Sequence, residues 1–331
     1  MSTTGLRTRA RSGPAALRGP VRVLLHQHRR ALWAACALLA LGIAFVVGLR
    51  IWVATSPERC ADGDTTRCGD GTYLPTYART ATETYLANGG TTLLVLAGLI
   101  GVFVAGPLIA RELESGTFRF VWAQSVSPAQ WLAARIALPA ALVTAGTTVL
   151  VLVYRWGLSG VQGNAYAYGL GWYENGVFPA LGPAAVAYAL LAVAVGALCA
   201  VLVRRTILAM SLTALVLGTV MLGFGKRRYE LWPSARRLGR EAWPDSAWNI
   251  ESGMLTPSGK EIYWQDCWDA GRINPEDPSS CLRNQGGVTD FSDYHPASHF
   301  WPLQLVETGI LLVLAAAAVA LAFRVLRRRH A

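Results

Sequence analysis

Residues 91–117, TTLLVLAGLIGVFVAGPLIARELESGT, join an apolar run to an acidic turn. The apolar part, 91–110, holds no charged residue and has about the twenty residues that a helix needs to cross a bilayer. Gly116 follows at a position typical of a helix C-cap, so Glu112 and Glu114 lie near a helix C-terminus. The helix dipole favours cations there, and each carboxylate costs about 0.3 to 1 kcal/mol unless a positive group meets it. The stretch therefore predicts a membrane-spanning helix that ends in an acidic turn.

Two interpretations of this turn stay open. Arg111, Arg119 and Arg135 can neutralise the two acids within the chain, because weak exposed ion pairs of this kind are common. Alternatively, a partner protein supplies the positive charge.

The residues around the turn carry a family resemblance. The pattern Arg-Glu-x-Glu-x-Gly-Thr over 111–117 is followed by WAQSVS over 122–127, and then by Trp131 and Arg135. It resembles the first cytoplasmic loop of ATP-binding-cassette (ABC) transporter permeases of the type-two exporter class. In that family the loop contacts the ATPase subunit. The resemblance implies ATPase coupling by Arg111, Glu112, Glu114, Gly116, Thr117 and Trp122. Residues 294–308, YHPASHFWPLQLVET, likewise resemble the start of the last span in these permeases.

The composition agrees with a membrane protein. Of the 331 residues, 53% are hydrophobic and 15% are charged, against about 25% charged residues in soluble domains. Six apolar segments are near the membrane-spanning length: 31–54, 91–110, 136–154, 180–203, 206–224 and 303–323. The first is too long for a removable signal peptide and lacks a small-residue cleavage site. We predict an all-α polytopic membrane protein with six transmembrane helices.

The arginines predict the orientation. They crowd at both ends of the chain and in the short connections around 111–135 and 204–205, which places both termini in the cytoplasm. The long loop 225–302, between spans five and six, is then extracytoplasmic, although it begins with the basic cluster Lys226, Arg227 and Arg228. Anionic lipid beside the basic termini accounts for the net charge of +10 without a nucleic-acid partner. The resemblance implies a multi-pass protein of the bacterial cell membrane.

The chain divides into three parts. Residues 1–20 form a disordered basic leader, 21–324 form the six-span domain with its loop 225–302, and 325–331 form a basic cytoplasmic tail. Residues 21–30 alternate apolar and basic positions at helical spacing, which predicts an interfacial helix. Its basic side holds Arg22, Arg29 and Arg30. A plain basic anchor before the first span is the alternative.

Two local signals fix how the helices connect. Ser127, Pro128 and Gln130 form a capping box, so the third helix begins at Pro128. Spans four and five are joined by Arg204 and Arg205 alone, which predicts an antiparallel helical hairpin.

Four cysteines fall in the predicted outer loops. Cys60 and Cys68 lie in the first loop, and Cys267 and Cys281 lie in the largest one. Three disulfide connectivities are possible on an oxidising face, and we favour the pairing within each loop. A zinc site is the rival, but no C-x-x-C spacing supports it.

Polar residues in the last span are candidates for a functional site. Glu307 lies about one turn inside the span with Gln304 on the same face. A carboxylate in lipid is costly and commonly functional, as a substrate contact or proton relay. The alternative is an interfacial hydrogen bond or an ion pair with Arg50 or Arg155.

No motif for catalysis, cofactor binding or metal binding emerges. His295 and His299 have the spacing of metal ligands, but Pro296 between them and the missing glutamate exclude the metalloprotease motif. Gly225 and Lys226 precede Arg227 rather than the Ser or Thr of a phosphate loop. We expect no enzyme activity and no cofactor in this chain, with ATP and Mg²⁺ on the partner.

The resemblance thus implies the permease subunit of an ATP-driven ABC exporter. It would form the substrate pathway with a second permease chain, as a homodimer or heterodimer, and couple to a separate cytoplasmic ATPase through 111–135. The alternative is a secondary transporter or a stand-alone membrane factor that does not use ATP. Secondary transporters usually carry titratable groups near the membrane midplane, and the apolar spans hold few.

Overall fold

Six helices of the computed structural model are long and apolar enough to cross a membrane. The structure describes residues 29–57, 59–60, 73–74, 76–123, 127–161, 170–239 and 246–330. The candidate spans are Leu32–Thr55, Tyr77–Ser115, Pro128–Leu158, Pro183–Val203, Thr206–Leu231 and Ala297–Arg329. The prediction of six membrane-length helices is confirmed, and several of them extend well beyond their apolar runs.

The helices and strands follow one another along the chain. The helices are α1 (Arg29–Thr55), α2 (Tyr77–Ile100), α3 (Gly106–Ser115), α4 (Phe118–Trp122), α5 (Pro128–Leu158), α6 (Val177–Ala180), α7 (Pro183–Val203), α8 (Thr206–Arg227), α9 (Trp264–Asp269), α10 (Ser280–Asn284) and α11 (Phe300–His330). The strands are β1 (Arg59–Cys60), β2 (Tyr73–Leu74), β3 (Ala235–Leu238), β4 (Trp248–Leu255), β5 (Glu261–Tyr263) and β6 (Thr289–His295).

Parts of the predictions fall outside the described residues. The leader 1–20 lies there, as do Arg22 and the rest of the predicted interfacial helix up to residue 28. Arg29 and Arg30 are exposed in the first turn of α1. Cys68 and the side chain of Cys60 also lie outside, so the pairing of these two cysteines stays a prediction.

Helix α7 is the centre of the bundle. Most of its residues are buried, and it packs against α2, α3, α5, α8 and α11. Its sequence, PAAVAYALLAVAVGALCAVLV, is dominated by small side chains that let neighbouring helices approach closely. At Gly101 and Gly196 the backbones meet, because a Cβ on Gly196 would lie 2.6 Å from the carbonyl oxygen of Gly101.

A π-helical turn, Gly101–Ala105, joins α2 to α3. Pro107 follows it within the same continuous helical segment. Proline has no N–H to donate to the carbonyl four residues earlier, and a π-helical turn is one way in which a helix accommodates such a break. The segment therefore crosses the bundle as one helical run with an irregular middle.

The predicted helix ends are confirmed. Ser127 Oγ accepts from the backbone N–H of Gln130 at 3.2 Å, and Gln130 Oε1 accepts from the backbone N–H of Ser127 at 3.1 Å. Gly116 ends α3 in the left-handed conformation, with φ of 74°. Only Arg204 and Arg205 separate α7 from α8, and Arg204 itself has φ of 56°.

Between α8 and α11 the chain folds into an antiparallel sheet with strand order β3-β6-β4-β5. The prediction of an all-α protein is therefore wrong in this segment, and the protein is mostly helical. Met254, Ile262 and Leu282 form a small core with the disulfide Cys267–Cys281, which confirms that pairing. Strands β3 and β5 have only four and three residues, so their alternating burial leaves little period-two signal in the sequence.

Candidate coupling site and buried polar cluster

The acidic turn is tied to α5 through Glu112. Trp131 Nε1 donates to Glu112 Oε2 at 2.8 Å, and Arg135 forms an ion pair with Glu112 Oε1. The capping box places both partners on the first two turns of α5, facing α3. For Glu112, the structure thus agrees with neutralisation within the chain, and the cation is Arg135 rather than Arg111 or Arg119.

Glu114 is tied to α8 instead. Its Oε2 accepts from the backbone N–H of Thr206 at 2.9 Å and from Thr206 Oγ1 at 2.6 Å. Arg205, the N-cap residue of α8, makes no capping hydrogen bond with its own side chain. The carboxylate of Glu114 therefore caps α8 from another helix, where the positive end of the helix dipole favours an anion.

These contacts change what the turn offers to a partner. Both carboxylates are satisfied inside the chain, so neither needs a partner protein to supply a positive charge. The buried side chain of Phe118 anchors α4, and the ring of Trp122 lies between those of Phe118 and Trp131. The opposite side of α4 is open, and the ring of Phe120 is 75% exposed. Arg111, Thr117 and Arg119 are also exposed.

The second polar site is a buried cluster around Glu307. Arg228 Nε donates to Glu307 Oε2 at 2.7 Å, and Arg228 Nη2 donates to Oε1 at 3.2 Å. The hydroxyl of Tyr188 donates to Oε1 at 2.7 Å. All three side chains are buried and come from α11, from the 3-10 turn after α8 and from α7. The cluster therefore links the last three spans.

The predicted partners of Glu307 are wrong. Arg50 donates to the carbonyl of Trp156 and to Ser159 Oγ, and Arg155 donates to the carbonyl of Leu181. Both arginines thus bind carbonyl groups near the ends of other helices. Glu307 faces the bundle interior, where Arg228 reaches it from the 3-10 turn after α8.

Gln304 lies one turn before Glu307, and the prediction that both share a face is confirmed. Its Nε2 donates to the carbonyl of Phe178, and its Oε1 accepts from the backbone N–H of Ala184 at 3.3 Å. Gln304 thus satisfies backbone groups at the α6–α7 junction. Gly182 makes room for it, because a Cβ there would lie 2.5 Å from Gln304 Oε1.

Sequence reasoning missed Arg228. It is one of three consecutive basic residues, and nothing local says which of them turns inward. The available signal is its position, one turn after the last apolar residue of the fifth span, Phe224. In the structure its guanidinium lies 4.7 Å from the centre of the Phe178 ring, a cation–π distance.

His295 and His299 contact each other rather than surrounding a ligand. His295 Nε2 lies 2.9 Å from the carbonyl oxygen of Tyr229, so this nitrogen carries the proton and donates. His295 Nδ1 is then an acceptor, and His299 Nδ1, 3.0 Å away, donates to it. Burial lowers the pKa of His295, the hydrogen bond to the carbonyl of Tyr229 partly opposes this, and the neighbouring His299 lowers the pKa slightly further. Within the described ranges, no group of three or more potential metal ligands occurs.

Comparison with known proteins identifies the family of the chain. No curated protein matches the chain. Residues 29–227, which make up more than half of the chain, match the family model described as "ABC-2 membrane transporter related". The matched region contains helices α1 to α8, including the acidic turn, and ends just before Arg228 and the sheet. The chain therefore belongs to the ABC-2 membrane transporter related family, in agreement with the resemblance to type-two ABC transporter permeases.

Proposed function

We propose that this chain is the permease subunit of an ATP-driven exporter. It forms the substrate pathway with a second permease chain, and a separate cytoplasmic ATPase drives it through residues 111–135. The single observation that carries the proposal is the coupling segment, α4 with its flanking ends 111–117 and 127–135. Glu112 and Glu114 tie this segment to two different transmembrane helices, while α4 leaves Phe120 exposed.

The contacts of the coupling segment suit the transmission of a movement. A partner that pushes on α4 moves α3, because only Gly116 and Thr117 separate the two helices. The ion pair of Glu112 with Arg135 then carries the movement to α5, and the hydrogen bonds of Glu114 to Thr206 carry it to α8. Three spans would respond together.

The exposed surface of the segment suits a protein partner. Aromatic residues and arginine are enriched in protein interfaces. The coupling segment exposes the ring of Phe120 and the side chains of Arg111 and Arg119. Glu112 and Glu114 act on the partner indirectly, because they position the segment.

The positions of the arginines support a cytoplasmic location of this end. Glu114 meets the first turn of α8, and Arg329 near the end of α11 donates to the carbonyls of Val201 and Leu202 at the end of α7. Arg204, Arg205 and the arginines of the tail therefore cluster near the coupling segment, as the positive-inside rule expects. The sheet lies at the opposite ends of α8 and α11, and its disulfide fits an oxidising compartment.

Purification tests the proposal. The tagged chain is isolated in mild detergent from its own membranes, and co-purifying proteins are searched for an ATPase with a phosphate loop. We expect Phe120→Ala to lower the recovery of that ATPase. The matched control is Phe103→Ala, since Phe103 is also exposed but lies in the π-helical turn within the second span. Isolation without any ATPase would favour the secondary-transporter alternative, and equal recovery with both variants would exclude α4 as the contact.

A further inference from the structure

A cavity of about 540 Å³ opens at the end of the bundle that carries the sheet. Residues of α2, of the loop before α6, of the C-terminal end of α8 and of β4 line it. Its volume is within the range of pockets that hold small organic molecules. It is separate from the coupling segment and from the buried cluster around Glu307.

Glycines build the wall of this cavity. A Cβ on Gly90 of α2 would lie 2.3 Å from the carbonyl oxygen of Gly176, and a Cβ on Gly176 would lie 2.2 Å from Thr91 Oγ1. The loop 171–176 therefore rests directly on α2, backbone against backbone. The carbonyl of Glu174 also accepts from the N–H of Phe178 at 2.9 Å, which fixes the loop to α6. The loop holds the side chain of Glu174 at the cavity on a rigid support.

Glu174 is the charged residue in the lining. Its Oε1 accepts from the backbone N–H of Gly171 at 3.3 Å, and it forms no salt bridge with any described residue. Lys226 is exposed and follows the lining residue Gly225, but it does not line the cavity itself. Among the described residues, the lining thus presents a carboxylate and no cation.

The other lining residues suit the apolar or aromatic part of an organic molecule. Tyr173 and Trp248 both line the cavity, with their rings parallel to within 5° and their centres 5.9 Å apart. Aromatic faces attract cations, and the amides of Asn88 and Asn175 add hydrogen-bonding groups that carry no charge. One carboxylate gives the described lining a single negative charge, which matches a monovalent cation better than a divalent metal ion. The carboxylate of Glu174 would repel an anion.

We propose that this cavity binds monovalent organic cations with an apolar or aromatic body. Glu174 supplies the counter-charge, and Tyr173 and Trp248 contact the body. That such cations are the exported substrates rests on the proposed function, whereas their binding does not. Binding of such cations can therefore be tested on the isolated chain.

Two probes of the same shape and opposite charge test it: tetraphenylphosphonium, a cation, and tetraphenylborate, an anion. Binding of each is measured to the purified full-length chain in detergent, with empty micelles as the blank. We expect the cation to bind, and we expect Glu174→Gln to weaken it by about tenfold or more, as the loss of a close charge predicts. Glu251→Gln is the matched control, because Glu251 is exposed on the same strand as Trp248; binding should not change.

A second variant keeps the test decisive if Glu174→Gln does not fold. Asn88→Asp adds a carboxylate to the lining and should strengthen binding of the cation. Equal binding of both probes, unchanged cation binding in Glu174→Gln, or no gain in Asn88→Asp would overturn the inference. ATPase activity of the purified complex separates the two proposals: cation binding without stimulation of ATP hydrolysis would support the cavity and count against the exporter.

Discussion

Glu114, near the end of α3, caps the first turn of α8 through the backbone and the hydroxyl of Thr206. The two residues are 92 positions apart in the chain. The contact joins the coupling segment to the hairpin formed by α7 and α8. A carboxylate that is unfavourable at its own helix end is thus favourable at the start of another helix.

Removal of this cap should loosen the start of α8. We expect Glu114→Ala to lower the thermal unfolding midpoint of the purified chain. The backbone N–H and the hydroxyl of Thr206 would both lose the carboxylate oxygen to which they donate. Thr206→Ser keeps the hydroxyl and the N–H and should behave like the wild type. Combining Glu114→Ala with Thr206→Val should cost less than the sum of the two changes. Strict additivity would contradict the contact.

Breaking the buried ion pair should be more severe. In Glu307→Gln the guanidinium of Arg228 stays buried without its counter-charge, which predicts a loss of about 3 to 5 kcal/mol in the free energy of unfolding. Replacing both residues, as in Glu307→Gln with Arg228→Met, should recover a large part of this loss. Unfolding in mixed micelles measures both variants. A double variant as unstable as the single one would show that charge pairing is not what Arg228 contributes.

Acid should weaken the attachment of the sheet to α11. Burial lowers the pKa of His295 in the folded protein, while the unfolded chain takes up a proton near the ordinary value of about 6.5. The unfolded state therefore binds more protons as the pH falls below about 6.5, and the stability decreases until the pH passes the lowered pKa. Protonation would also place an N–H on Nδ1 of His295, so its hydrogen bond with Nδ1 of His299 would require His299 to change tautomer.

Thermal unfolding between pH 7.5 and pH 5, followed by tryptophan fluorescence, checks this dependence. Trp248 packs against the ring of His295 at 5.4 Å between ring centres and should report the change. We expect His295→Gln to flatten the pH dependence that this histidine contributes. A variant with the full acid sensitivity of the wild type would place the titrating group elsewhere.

The disulfide should carry much of the stability of the sheet. It closes a sequence separation of 14 residues, and a loop of this size is worth about 3 kcal/mol in the chain-entropy model. We expect a loss of this order in the free energy of unfolding of Cys267→Ser with Cys281→Ser. Neither cysteine should react with maleimide before reduction, and free thiols at both positions would contradict the pairing.

The sequence predicts the elements that depend on local patterns. Six apolar runs of membrane length give the six helices, and Ser127 with Gln130 gives the start of α5. Contacts between distant residues leave no such local trace. The sequence shows that Glu114 lies at a helix C-terminus, where a carboxylate is unfavourable. The helix N-terminus that stabilises this carboxylate belongs to another span. The role of Arg228 depends on the packing of the 3-10 turn after α8 against α11, which is a contact between distant parts of the chain.

The sheet could not be predicted from the sequence for a different reason. The strand β5 has three residues and β3 has four, and β4 is irregular where it passes from Asn249 to Glu251. Hydrophobic alternation needs a longer regular stretch before it can be recognised. The cavity at Glu174 is equally invisible, since it is made by a loop, two helices and a strand that meet only in three dimensions.

The meeting of Gly101 with Gly196 limits how the bundle can move. A Cβ on Gly196 would lie 2.6 Å from the carbonyl oxygen of Gly101, so the backbones of the second and fourth spans touch at this crossing. If one span slid along the other, larger side chains would have to occupy the space between Gly101 and Gly196, where only the hydrogen atoms of glycine fit. We expect any rearrangement driven from α4 to be a tilt of the second span about this crossing. The two ends of the span would then move in opposite directions.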